Sequence, residues 1–144
     1  MASKLVERTP EAESESPEPR TDSTAFRLAR LLFGGATTLM AVDNFLSMEG
    51  TVEYAEGTAP APERTVPAIS GALLFGGVGI ALWKAPRLAA GAVATFLVSV
   101  TPTMHDFWTV EDDQQREQQL IHFLKNAAML GGALAFLGVA EDER

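Results

Sequence analysis

Four stretches of this chain are apolar over nearly the length needed to cross a bilayer, and that feature leaves few folds open. Residues 66–83 (VPAISGALLFGGVGIALW) give 18 positions without an ionisable group, and residues 88–104 (LAAGAVATFLVSVTPTM) give 17. Residues 120–140 (LIHFLKNAAMLGGALAFLGVA) run for 21 positions with His122 and Lys125 as the interruptions. The first stretch, Ala25–Leu46, holds the uncharged run LLFGGATTLMAV (31–42) behind Arg27 and Arg30, whose long side chains can reach a headgroup layer. A spanning helix needs about 20 mainly apolar residues to cover roughly 30 Å of hydrocarbon. Each stretch therefore reads as one span, at about 25–46, 66–83, 87–104 and 120–140.

A water-soluble four-helix bundle would show an apolar stripe at helical spacing opposite a charged face. The second and third stretches have no such face. Glycine is also dense within the spans, at Gly34, Gly35, Gly71, Gly76, Gly77, Gly79, Gly91, Gly131, Gly132 and Gly138. In water these residues weaken helices, whereas in lipid they let helices approach closely. Pairs such as Gly34/Thr38, Ala72/Gly76 and Gly131/Ala135 are the expected contact positions. The runs lack the period-two alternation of a membrane barrel. The predicted fold is thus all-α, a bundle of four transmembrane helices preceded by a polar tail.

The 144-residue chain carries a net charge of −8 although 47% of its residues are hydrophobic, because charge is confined to the tail and loops. Residues 1–24, with the run EAESESPEPRTDST at 11–24, offer almost nothing to bury and read as a disordered tail, followed by a single membrane domain over 25–140. No cleavable signal is expected, since the first apolar run begins only after this polar segment. An acidic balance argues against a nucleic-acid partner. With no cysteine, disulfides, thiolate nucleophiles and cysteine-held zinc or iron–sulfur clusters are excluded.

Orientation follows from lysine and arginine. The turn KAPR (84–87) carries two cations and no acid, and Arg20, Arg27 and Arg30 crowd the entry to the first span, which places both in the cytoplasm. The connections Ser47–Thr65 and His105–Gln119 are acid-rich and belong outside. The expected location is the cell membrane, with both termini cytoplasmic. Trp83 beside Lys84 and Trp108 beside Phe107 would mark the inner and outer interfaces.

With that topology the polar residues of the spans gather at one level. Asp43 and Asn44 end the first span, His105 and Asp106 end the third beyond a bend expected at Pro102, and His122, Lys125 and Asn126 lie early in the fourth. An ionisable group in a span costs roughly 2.5–3.5 kcal/mol on insertion scales, so it is expected to face the interior and find a partner. Asp43 is the expected counter-ion of Lys125, and the i, i+3, i+4 spacing of His122, Lys125 and Asn126 puts them on one face. One reading is a structural pair that fixes helix register. The other is a site near the outer leaflet for a polar head such as a quinone ring or small anion, with Lys125 and His122 as donors. Haem ligation is not expected, because His105 sits at a helix end beside Asp106 and no third histidine supports it. No metal-binding, phosphate-binding or hydrolase motif occurs.

The opening RLARLLFGG and closing VDNF of the first span, GALLFGGVGIAL in the second, the basic turn KAPRLAA, HDFW at the end of the third and LIHFLKNAAMLGGAL in the fourth together resemble the DoxX family of small four-helix membrane proteins. The similarity covers roughly Phe26 to Leu137, and its more specific parts are Lys125, Asn126 and Gly131, with His105, Phe107 and Trp108. Such proteins often have a lysine where this chain has Asn44. The resemblance implies a small membrane subunit or scaffold beside a redox complex, without activity of its own. The alternative it implies is a quinone-binding component of a quinone-linked oxidoreductase, acting in sulfur oxidation or oxidative-stress defence. The implied partners are the lipid bilayer and either a redox protein or further copies of the chain.

Overall fold

The computed structural model describes residues 17–143. Residues 1–16 of the expected tail lie outside the described residues, and Pro17–Ser23 is non-helical. Five helices follow: α1 (Thr24–Leu46), α2 (Met48–Ala55), α3 (Pro62–Leu82), α4 (Pro86–Met104) and α5 (Asp113–Asp142), with one 3₁₀ turn at Phe107–Thr109 before α5. Helices α1, α3, α4 and α5 are each long and apolar enough to cross a bilayer, so the chain is a multi-spanning membrane protein. Its outward surface agrees: Leu32 is 72% exposed and Leu46 82%, positions that suit hydrocarbon better than water.

Local chemistry sets the helix ends. Ser23 Oγ accepts from the Phe26 N–H at 3.2 Å and Asp112 Oδ1 accepts from the Gln115 N–H at 2.9 Å, each satisfying a free donor of a first helical turn. Pro62 and Pro86 open α3 and α4, where a missing N–H costs no helical bond. At the end of α3 the chain reverses within three residues. Trp83 and Ala85 take left-handed conformations (φ 54° and 45°), Lys84 N–H donates to the Gly79 carbonyl and Trp83 N–H to that of Ile80. This tight turn sets α4 directly against α3.

Helix α3 is the centre of the bundle, packed on α1 on one side and α4 on the other, with α5 on the far side of α4. The α1–α3 contact is backbone against backbone. A Cβ placed on Gly34 would stand 2.5 Å from the Ala81 nitrogen and 2.6 Å from the Gly77 carbonyl oxygen, and one on Gly77 would meet Thr38. Gly76 meets Ala89 and Val93 of α4 in the same way. Around these contacts the core is built from Ala41, Leu73, Ile80, Val93 and Leu97, each fully buried.

The start of α1, the end of α3 and the end of α5 meet in an aromatic cluster. Phe26 lies edge-on to Trp83 at 4.8 Å between ring centroids and to Phe136 at 5.8 Å, Phe33 stands 5.2 Å from Phe136, and Trp83 Nε1 donates to Glu143 Oε2 at 2.8 Å. Both ends of the described chain therefore lie at one end of the bundle, here the terminal end. Helix α2 and His105 mark the other.

Three sequence expectations change. The connection Ser47–Thr65 contains α2, whose Met48, Val52 and Ala55 recur at helical spacing and turn inward. Helix α5 starts at Asp113, seven residues before the apolar run, because Asp112 caps a polar helical turn that hydropathy does not register. At about 45 Å this helix outreaches the hydrocarbon layer. Gly131 meets nothing within 4 Å and makes no helix contact; Gly132, one position on, faces Phe33 instead. Helix α4 continues through Pro102 to Met104.

Replacing Gly34 or Gly77 by leucine should destabilise the folded protein by at least about 1–3 kcal/mol, since the side chain would have to enter the facing backbone. Gly131→Leu should leave stability within about 0.5 kcal/mol. Reversible unfolding of the three variants in detergent or bicelles measures the contrast.

Candidate functional site

Between the four spans, at the α2 end, lies a cavity of about 600 Å³. Its walls are apolar: Met40 of α1, Val66 and Ile69 of α3, and Phe96, Val100 and Met104 of α4. Helix α2 covers it with Thr51, Tyr54 and Ala55. The side-chain contacts that join α1 to α5 lie toward the terminal end, while here Met40 and Asn44 of α1 face His122 and Asn126 of α5 across the cavity.

Polar groups line it in two tiers. The inner tier is Asn44, whose Nδ2 donates to Ser70 Oγ at 3.3 Å; Ser70 is 1% exposed, so this bond satisfies a hydroxyl sealed inside the bundle. Ser99 and Thr103 on α4 donate their hydroxyl hydrogens to carbonyls of their own helix, at 2.8 Å to Thr95 and 2.9 Å to Ser99, leaving oxygen lone pairs toward the cavity. Asn126 has no hydrogen-bond partner among the described residues, so its amide is free for a ligand.

The outer tier is a directed chain of hydrogen bonds. Tyr54 Oη donates to the Met104 carbonyl at 3.3 Å and so accepts from Gln119 Nε2 at 3.4 Å. That turns Gln119 Oε1 toward His105 Nδ1, 2.8 Å away. Since Oε1 can only accept, Nδ1 carries the hydrogen, and a neutral His105 keeps Nε2 as an acceptor. His122 stacks on the same ring, 5.2 Å between centroids at 22°. Stacked imidazoles present faces to each other rather than nitrogens, a poor geometry for sharing a haem iron.

The structure divides the residues singled out by sequence. Asn44, His105, His122 and Asn126 line the cavity; Asp43, Asp106, Trp108 and Lys125 do not. The expected Asp43–Lys125 pair is not formed: both side chains are exposed, and among the described residues the one ion pair is Arg116–Asp113. The reason is helical register. Ala41 and Asn44 turn toward α3, which leaves Asp43, one position and about 100° away, on the outside. On α5 the inward face is centred on His122, Asn126 and Ala133, so Lys125 sits on the flank. Asp106 holds the 3₁₀ turn, accepting from Thr109 Oγ1 at 2.8 Å, and Trp108, 57% exposed, packs edge-on against Phe107 and Phe123.

Several groups of the site were not anticipated from sequence, among them Ser70, Ser99, Thr103 and Tyr54 of the cavity wall and Gln119, which bonds His105 and Tyr54 beside it. Ser70 had a usable signal as a lone hydroxyl within an apolar span. Tyr54, the single tyrosine, and Gln119 gain their roles only once α2 and the first turns of α5 fold over the spans.

Compared with family models, curated proteins and solved structures, the chain matches none.

Because Asp43 and Lys125 are separate, Asp43→Asn and Lys125→Met should each change stability by less than about 0.5 kcal/mol, and the double variant should show the sum. A double-mutant cycle in bicelles measures this; a coupling above about 1 kcal/mol would show that they pair.

Proposed function

We propose that this protein is a DoxX-type subunit of the cell membrane that holds a quinone-type ring in the cavity between its spans and presents it to a redox partner. The observation that carries the reading is the cavity itself: its volume of about 600 Å³ falls within the roughly 300–1,000 Å³ of small-molecule sites, and its largely apolar surface is interspersed with hydroxyl, amide and imidazole side chains. Phe96 and the pair Val66 and Ile69 supply apolar walls suited to a planar ring. The Asn126 amide is a donor for a ring carbonyl, and His105 Nε2 is an acceptor for a ring hydroxyl. A quinone supplies two-electron, two-proton chemistry when bound. The chain's own part is to position the ring, keep lipid tails from it, and take or return a proton at His105 Nε2, whose orientation Gln119 and Tyr54 fix.

Lysine and arginine placement supports the same assignment of sides, with KAPR at the cytoplasmic face and the α2 end outward. The cavity then lies in the outer half of the membrane.

The test is to purify the tagged chain from its own membrane in mild detergent, analyse extracted lipids for quinone, and titrate the protein with a short-chain benzoquinone. Saturable binding is expected, weakened about tenfold or more by Asn126→Leu, which keeps side-chain volume but removes the amide. No co-purifying quinone and no saturable binding would overturn the reading.

A further inference from the structure

A second feature lies on the same pair of helices. Toward the terminal end, α1 and α5 border a groove of about 620 Å³ lined by Phe26, Ala29, Leu32 and Phe33 on one side and Ala135 and Val139 among those on the other. None of its lining side chains carries a polar group. Above it, at the register between groove and cavity, stand Ala36 and Thr37 on α1 and Met129 and Leu130 on α5; the Thr37 hydroxyl is buried and donates to the Phe33 carbonyl of its own helix. Cavity and groove thus succeed one another along one seam. From Met40 at the cavity wall to Phe26 at the foot of the groove is 14 residues of α1, about 20 Å of rise.

We propose that this groove is the seat of the ligand's hydrocarbon tail, so that the bound molecule is a long-chain amphipath with its ring at the α2 end and its tail running about 20 Å down the α1–α5 seam. The inference rests on the quinone reading of the cavity and adds to it the size of the ligand and the direction in which it lies. Three observations favour a tail over a second protein chain as occupant. The groove borders the same two helices as the cavity, its lining is wholly apolar, and the small side chains of Ala29 and Ala135 leave space between flanking phenylalanines. The aromatic contacts of Phe136 with Phe26 and Phe33 form its floor and hold the two helices at a fixed spacing.

The experiment uses a benzoquinone whose saturated tail, about 20 Å long, ends in a diazirine. It is photolysed with the full chain in nanodiscs, and labelled peptides are mapped by mass spectrometry. Labels are expected on the segments 26–33 and 132–139. A short-chain benzoquinone in excess should remove them, and Ala29→Leu/Ala135→Leu, which fills the groove, should reduce them at least about fivefold while short-chain binding stays unchanged. Labels spread over outward residues such as Leu88 and Val98, with short-chain binding intact, would overturn the tail site alone. Labelling that the short-chain compound does not displace, with no short-chain binding, would instead overturn the ring site.

Discussion

Close approach of α3 to both α1 and α4 is the contact on which the rest of the structure depends. Lipid tails are as apolar as the helices, so burial of apolar surface drives little association inside a membrane and packing must supply it. Gly34 against Gly77 and Ala81, and Gly76 against Ala89 and Val93, let main chains touch where any side chain would hold them apart. The left-handed turn at Trp83 and Ala85 makes the α3–α4 half of that packing continuous with the chain reversal.

What this packing does not close defines the site. With α3 drawn against its two neighbours and α5 carried by α4, α1 and α5 are left to meet across the bundle. At the terminal end aromatic rings bridge them: Phe26, Phe33, Trp83 and Phe136 form a wedge of side chains rather than a backbone contact. At the other end α1 and α5 line the two sides of the cavity, and α2 folds over it. Cavity and groove are therefore consequences of where the glycines lie, and the polar residues that matter are those whose helical register turns them into that space. Asn44, Asn126, His105 and His122 qualify; Asp43 and Lys125, each one position away from a cavity residue, do not.

The spans were legible because roughly 20 apolar residues in a row admit few folds. Glycine spacing identified Gly34 and Gly76 as contacts but also pointed to Gly131, since spacing names a face without saying which neighbour it meets. The same limit governed the polar cluster. Residues at i, i+3 and i+4 share a face about 100° wide, and the cavity takes one edge of it, His122 and Asn126, leaving Lys125 outside. Charge attraction suggested a pair that the register of α1 prevents. Helix α2 was hidden because its eight residues include two glutamates and a glycine, and its helicity comes from docking on α3 rather than from propensity.

A space large enough for a small molecule lies between α1 and α5 at the α2 end. The native chain contains no cysteine, so single cysteines report cleanly on it. The most direct measurement compares neighbours that point in and out, Ser99→Cys with Val98→Cys and Asn126→Cys with Ala127→Cys, by reaction with a small water-soluble thiol reagent in nanodiscs. The two inward cysteines are expected to react and to be protected by a short-chain benzoquinone, while the two outward ones, in lipid, stay unreactive. Equal reactivity within each pair, or no reaction at the inward positions, would contradict a ligand-accessible cavity.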